Sequence, residues 1–179
     1  MKTLFFYVLI SLAGIVGYAQ DYNPADAGSS VKFKIKNFGF NVDGSFKGLE
    51  GKIHFDPAHL PDARFDVSID ANTIDTDNHT RDGHLKKEDY FDVQNHPRIR
   101  FVSTGIKAGG KKGEFIFSGK LTIKDKTQEL SFPFTASPMG NDYIFSGEFK
   151  INRKDFGVGG SSTISNSLTV ALTVFARKV

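Results

Sequence analysis

"SVKFKIKNFGFNVDGSFKGLEGKIHF", Ser30 to Phe55, alternates apolar and polar residues along nearly its whole length. Val31, Phe33 and Ile35 share one face, and Lys32, Lys34 and Lys36 share the other. Val42, Gly44 and Phe46 continue the apolar face. Near Gly48 the alternation slips by one residue, and Leu49, Gly51, Ile53 and Phe55 take it over. A period of two is the mark of a half-buried strand. A slip beside glycine reads as a bulge or a sharp bend within a strand.

The same pattern returns downstream. Phe65, Val67 and Ile69 alternate in "RFDVSIDA", and Ile99 and Phe101 in "RIRFVS". "GEFIFSGKLTI", "QELSFPFTA", "DYIFSGEFKI" and "SLTVALTVFA" repeat it, placing Phe117, Leu121, Phe134, Phe149 and Leu172 on apolar faces. Turn residues separate the runs, among them Asp56-Pro57, Gly109-Gly110, Lys124-Asp125 and Pro138 to Asn141. Eight or nine strands follow, and the short links make neighbours antiparallel. A long sheet wet on one face closes on itself or folds into a sandwich. Gly44, Gly51, Gly119 and Gly147 lie mid-strand on the apolar face, where glycine permits tight bending, so the pattern favours a barrel. Pro133 inside a strand points to an edge or bulge position.

Asn72 to Pro97 interrupts the alternation. Within it, "TDNHTRDGHLKKEDYF", Thr76 to Phe91, crowds two histidines, an arginine and several acids together. A structureless loop of that length is unusual in a small domain. Asp77 is placed to cap a short helix, with Asp77 and Arg81, and Asp82 and Lys86, four residues apart. Leu85, Tyr90 and Phe91 would anchor this helical flap over one end of the barrel.

Met1-Lys2-Thr3, the apolar run Leu4 to Val16, and Gly17 and Ala19 together read as a secretory signal peptide over residues 1–19, with cleavage after Ala19. The domain proper would be residues 20–179, an exported domain. The 179 residues contain no cysteine, so the domain has no disulfides or thiolate metal site and depends on its core. About 160 residues suffice, burying roughly 70% of the unfolded surface. Removing Lys2 leaves 22 basic against 20 acidic side chains, scattered rather than blocked, which gives no footprint for nucleic acid. A transient contact with an anionic membrane surface fits the balance, and a homodimer is a further expectation.

His79 and His84 are five residues apart and the other histidines are dispersed, which disfavours a metal site. A hydrolase reading would use His84 as base with Asp82 or Asp89 orienting it. No serine stands in a nucleophile elbow, and the blander reading is a hydrogen-bonded cluster of Arg81, Asp82, His84 and Asp89 fixing the flap to the rim. In the acid-rich run, Arg81 is expected to pair bidentately with a carboxylate. Of 18 phenylalanines, 16 lie beyond residue 19, chiefly on the inner face. Pattern alone leaves open whether these rings fill a core or line a cavity, and glycine opposite a ring could leave a slot.

Four segments in order resemble the YceI-like family of periplasmic, lipocalin-like, polyisoprenoid-binding proteins. "RDGHLKKEDYFDVQNHPRIRF", Arg81 to Phe101, is similar to its Arg-Asp-x-His-Leu, Asp-Phe-Phe-Asp and Pro-x-Ile-x-Phe runs, with Tyr90 where Phe is usual. "VDGSFKGLEGKIHFDP", "SGKLTIKDKTQELSFP" and "INRKDFGV" resemble its second hairpin, its Gly-x-Leu-x-Ile segment and its Arg-x-Asp-Phe-Gly signature. Ser29-Ser30 and Asn37 stand where relatives often carry histidine, at positions that could touch a ligand head group. The resemblance spans about Ser30 to Ala176. It implies an all-β, extended, eight-stranded antiparallel barrel with a short helical flap, and a channel for an isoprenoid quinone or polyprenyl-type amphiphile. It implies no catalysis and no cofactor beyond that bound lipid. The residues expected in the channel are Phe33, Ile35, Asn37, Phe46 and Ile69, with Phe101, Phe117, Leu121, Phe134, Phe149 and Leu172.

Overall fold

A computed structural model describes residues 20–160 and 163–179; the expected signal peptide lies outside the described residues. The strands are β1 (Gln20–Asn37), β2 (Phe40–Phe55), β3 (Arg64–Asp75), β4 (Arg98–Ala108), β5 (Glu114–Ile123), β6 (Lys126–Met139), β7 (Asp142–Asn152) and β8 (Ile164–Lys178). Each pairs antiparallel with the next, and β8 returns to β1, closing the barrel. Closure pairs the first strand with the last, which removes the two outer edges that an open sheet would present. β1 begins at Gln20, well before the alternation that marks it at Ser30. Its first half pairs with β8 through Tyr22–Lys178 to Ala25–Phe175, where the sequence carries little period-two signal.

The expected slip in β2 is a bulge. Lys47 pairs with Asp70 and Glu50 with Ser68, so β2 spends one more residue than β3 over this step. Gly48 sits inside it at φ +76°, a left-handed backbone that glycine adopts without a Cβ penalty. The extra residue transfers the inward phase from Phe46 to Leu49. Pro133 pairs across to Ile116 on β5, while the β6–β7 ladder stops one residue short of it at Phe134, so its missing N–H falls where a ladder ends.

The mid-strand glycines do not leave slots. A Cβ on Gly44 would stand 2.3 Å from the Phe33 ring that lies over it, and one on Gly119 would meet the Phe117 ring at the same distance. The rings cover the glycines and flatten against the wall, a known way of restoring packing at a strand glycine.

Because the strands run alternately up and down, the connections sort into two ends. The turn after β1, the β3–β4 connection with its helix α1 (His79–Leu85), the β5–β6 turn and the β7–β8 connection share one end. The other end carries both barrel termini and the remaining turns. The interior divides the same way. At the termini end, Tyr22, Phe55, Phe65, Phe115, Phe134 and Phe145 belong to one buried cluster. Phe55 meets five other rings edge-on at 5.3–6.5 Å, the arrangement aromatic quadrupoles favour. Tyr22 and Tyr143 stack edge-on at 5.3 Å, and burial raises both phenol pKa values above the usual tyrosine range. This half of the barrel is a solid plug. On the outer surface Arg100 grips Asp66 with two bonds of 2.8 and 2.6 Å across β3 and β4. That hydrogen bonding holds the Asp66 carboxyl below its usual range.

Candidate functional site

Toward the flap end the inward residues no longer meet in the middle. On β5 Phe115, Phe117, Leu121 and Ile123 are buried, whereas on β1 and β8 Phe33, Ile35, Leu168, Val170 and Leu172 are only half-buried although they face inward. Between them lies a cavity of about 190 Å³. Its floor is aromatic. Phe101 and Phe149 line it, and beneath them Phe117 and Phe132 continue a stack with ring centroids 4.5–5.8 Å apart. Phe46, Ile69 and Leu121 complete the wall.

Nine of the eleven expected channel residues therefore line this cavity, Asn37 among them at the rim. Phe117 and Phe134 do not. Both belong to the plug cluster, Phe117 directly under the floor and Phe134 deeper, against Phe55 and Phe115. Inward phase assigns a face of a strand but not a height along the barrel axis, which is why these two could not be told from the others.

The flap covers the cavity. Leu85 from α1, and Tyr90 and Phe91 from the turns after it, form its lining at the flap end. Phe91 packs edge-on against Phe46 at 5.5 Å. The helix is capped by Asn78 rather than Asp77: the Asn78 side chain accepts the backbone N–H of Arg81 at 2.9 Å. Asp77 instead occupies the preceding bend at φ +57° and donates its own N–H to Asp75. Two further bonds tie the flap to neighbouring connections. Gly159 N–H donates to the Asp89 carbonyl at 2.7 Å, and Lys124 Nζ donates to the Glu88 carbonyl at 2.7 Å.

The expected carboxylate partner of Arg81 is also corrected. Arg81 donates from Nε to Thr76 Oγ1 at 2.7 Å and from Nη2 to the Thr76 carbonyl. The Thr76 hydroxyl and N–H both donate to Asp82 Oδ1. Thr76 and Asp82 are buried. The result is a relay in which one hydroxyl accepts from the cation and donates to the acid. Thr76→Val should break both halves and cost about 1.5–3 kcal/mol, the range for hydrogen bonds to charged groups. Urea unfolding would measure it, and Thr76→Ser should restore most of the loss. The expected Asp82–Lys86 pair does not form either, since Asp82 points inward.

The same geometry dismantles the base-and-orienter arrangement. Asp82 is engaged by Thr76, His84 is exposed outside the cavity, and Asp89 is exposed. Among the described residues His84 makes no side-chain hydrogen bond to either acid.

Arg153 is the residue whose part sequence reading missed. It opens a short 3-10 helix, Arg153–Phe156, after β7, and it is only 6% exposed. Its guanidinium donates to the carbonyls of Ser165, Val158, Gly159, Gly160 and Ile164, tying Val158–Gly160 to the start of β8 from inside. It also lines the cavity beside Val158. The signal was in the phase: Phe149, Ile151 and Arg153 follow one another at a spacing of two, so the arginine falls on the inward face. Asn37, Thr76, Arg81 and Arg153 are thus polar groups set into a largely apolar lining toward the flap end, and Lys32 and Ser68 border the same cavity.

A model of the YceI-like domain matches residues 22–176. The chain belongs to the YceI-like family. A UPF0312 protein of Pseudomonas syringae pv. tomato is 30% identical over 150 residues, covering 80% of this chain and 78% of the relative. One from Pseudomonas fluorescens is 33% identical over 138 residues, covering 71% and 70%. Among solved structures, Burkholderia cenocepacia BcnA superposes with a TM-score of 0.80 at 26% identity, covering 85% of this chain and 98% of that one. A polyisoprenoid binding domain from Saccharophagus degradans shares the fold at 13% identity, with a TM-score of 0.70 over 90% of this chain and 99% of that one. The YceI-like barrel is therefore the architecture of this chain.

Proposed function

We propose that the chain binds or carries one linear isoprenoid-type amphiphile, a quinone or polyprenyl lipid, with its tail in the cavity and its head at the flap end. The observation that carries this is the shape and chemistry of the interior. It is lined mainly by apolar side chains, floored by aromatic rings, and carries Asn37, Thr76, Arg81 and Arg153 toward the flap end. A tail gains roughly 25 cal/mol for each Å² of apolar surface taken from water, before association costs. The cavity volume of about 190 Å³ exceeds the roughly 150 Å³ of an apolar cavity that takes up benzene. The resting space thus receives the first isoprene units, and a longer tail enters as the half-buried side chains of β1 and β8 and the flap give way. The Saccharophagus domain shares only the architecture; the ligand class proposed here rests on the wall of this cavity. The domain would act after export, residues 1–19 having been removed, in a bacterial periplasm or outside the cell.

Native mass spectrometry of the purified protein tests the reading. Adducts of isoprenoid mass, an isoprenoid in the organic extract, or uptake of added ubiquinone support it. A clean ligand-free mass with no uptake overturns it. Leu172→Trp, which fills the cavity from β8, should cut uptake more than tenfold while leaving the ligand-free melting midpoint within a few degrees of the original.

A further inference from the structure

The tip of the β1–β2 hairpin breaks two rules at once. The chain turns at Phe38 and Gly39, with φ +48° and +83°. Both central residues in the left-handed region make this the turn that asparagine-glycine or glycine-glycine ordinarily supplies. A bulky side chain rarely adopts that backbone. Phe38 does so and leaves its ring 72% exposed, while Phe40 across the turn is 78% exposed. Phe38 therefore holds an unfavoured backbone and buries almost nothing in return. Strain kept at an exposed aromatic residue points to use rather than folding.

The position supplies the use. Asn37, Val42 and Ile164 carry the cavity lining out to this tip. The turn is pinned by Phe38 N–H to the Thr163 carbonyl and by Thr163 Oγ1 to the Asn37 side chain. Behind the rings, Lys32, Lys34 and Lys36 project outward, set against Asp43, which lies 3.6 Å from Lys34. Aromatic rings ahead of a cationic strand match the layers of an anionic bilayer surface, where rings lodge at the headgroup level and lysines meet lipid phosphates. We propose that Phe38 and Phe40 form a membrane-docking prong that seats the cavity rim on an anionic lipid surface. This deepens the proposed function by naming where the barrel would meet its lipid, but the observations at the tip are independent of any bound ligand.

The test is co-sedimentation of residues 20–179 with vesicles of equal parts phosphatidylcholine and phosphatidylglycerol, and with phosphatidylcholine alone. Binding should favour the mixed vesicles and weaken as salt is raised. The double variant Phe38→Ser with Phe40→Ser should reduce it on the order of tenfold or more, since apolar area drives insertion. The chain has no cysteine, so Phe38→Cys with an environment-sensitive dye reports this site alone, and a blue shift on vesicle addition is expected. Phe38→Gly separates docking from folding, because it should raise the melting midpoint while lowering vesicle binding. Equal binding by the serine variant, or an unshifted dye, overturns the proposal. So does a dimer, seen by analytical ultracentrifugation, that the serine variant dissolves while no vesicles are bound. The vesicles contain no isoprenoid, so failure here leaves uptake in the mass-spectrometry assay untouched, and failure there leaves docking untouched.

Discussion

Replacing Arg153 with methionine is expected to cost about 3–5 kcal/mol, the combined loss of several buried hydrogen bonds donated by one charged group. Methionine keeps the unbranched stem of the side chain as far as Nε and supplies none of its donors, so the expected loss is chiefly that of the hydrogen bonds. The guanidinium supplies donors to five carbonyls between Val158 and Ser165. Without them those carbonyls must find water or remain unpaired, and each buried unpaired group costs about 1–3 kcal/mol. The connection that Arg153 holds also gives its Gly159 N–H to the Asp89 carbonyl of the flap, so the damage should spread to the cavity cover. For a domain of this size the melting midpoint should fall by roughly 6–20 °C. Arg153→Lys should recover little, because one ammonium cannot reproduce a planar five-donor fork. An unchanged urea midpoint in the methionine variant would show that the carbonyls are satisfied without it, and the role assigned to Arg153 would fail.

What the sequence made legible was whatever a period of two encodes. Strand faces, the antiparallel order, the β2 bulge at Gly48 and the site of the flap all follow from local phase and from glycine and turn chemistry. The β1–β2 turn escaped, because Phe38 stands where asparagine or glycine would have announced it. The partner of Arg81 escaped for another reason. A segment rich in acids suggests an ion pair by count, but burial decides, and Thr76 is the buried neighbour within reach. The division of the interior into plug and cavity was also beyond pattern. Phe33 and Phe117 have the same spacing and chemistry, yet one lines open space and the other supports its floor. Height along a barrel axis comes from register across eight strands, which no single window of sequence contains.

That division predicts the second large effect. Phe55→Ala should destabilise the barrel by about 3–5 kcal/mol, the usual range for a phenylalanine removed from a packed core. Phe55 is 1% exposed and touches five rings from β3, β5, β6 and β7. Its removal strips edge-to-face contacts from every one of them, and the closed wall around it has little freedom to collapse. Phe33→Ala removes the same ring from the half-buried wall over Gly44, with one aromatic neighbour, Phe46. It should cost clearly less, because its ring already borders empty space. The two variants should diverge oppositely in uptake. Phe55→Ala leaves the cavity wall intact and should retain the affinity of its folded fraction for an added isoprenoid, whereas Phe33→Ala reshapes that wall and should alter it. Urea unfolding and native mass spectrometry on the same preparations measure both quantities. A Phe55→Ala protein that lost little stability would mean a loosely filled plug. One that stayed folded but lost uptake would mean that plug and cavity act as a single mechanical unit, with the aromatic floor transmitting the change from one half of the barrel to the other.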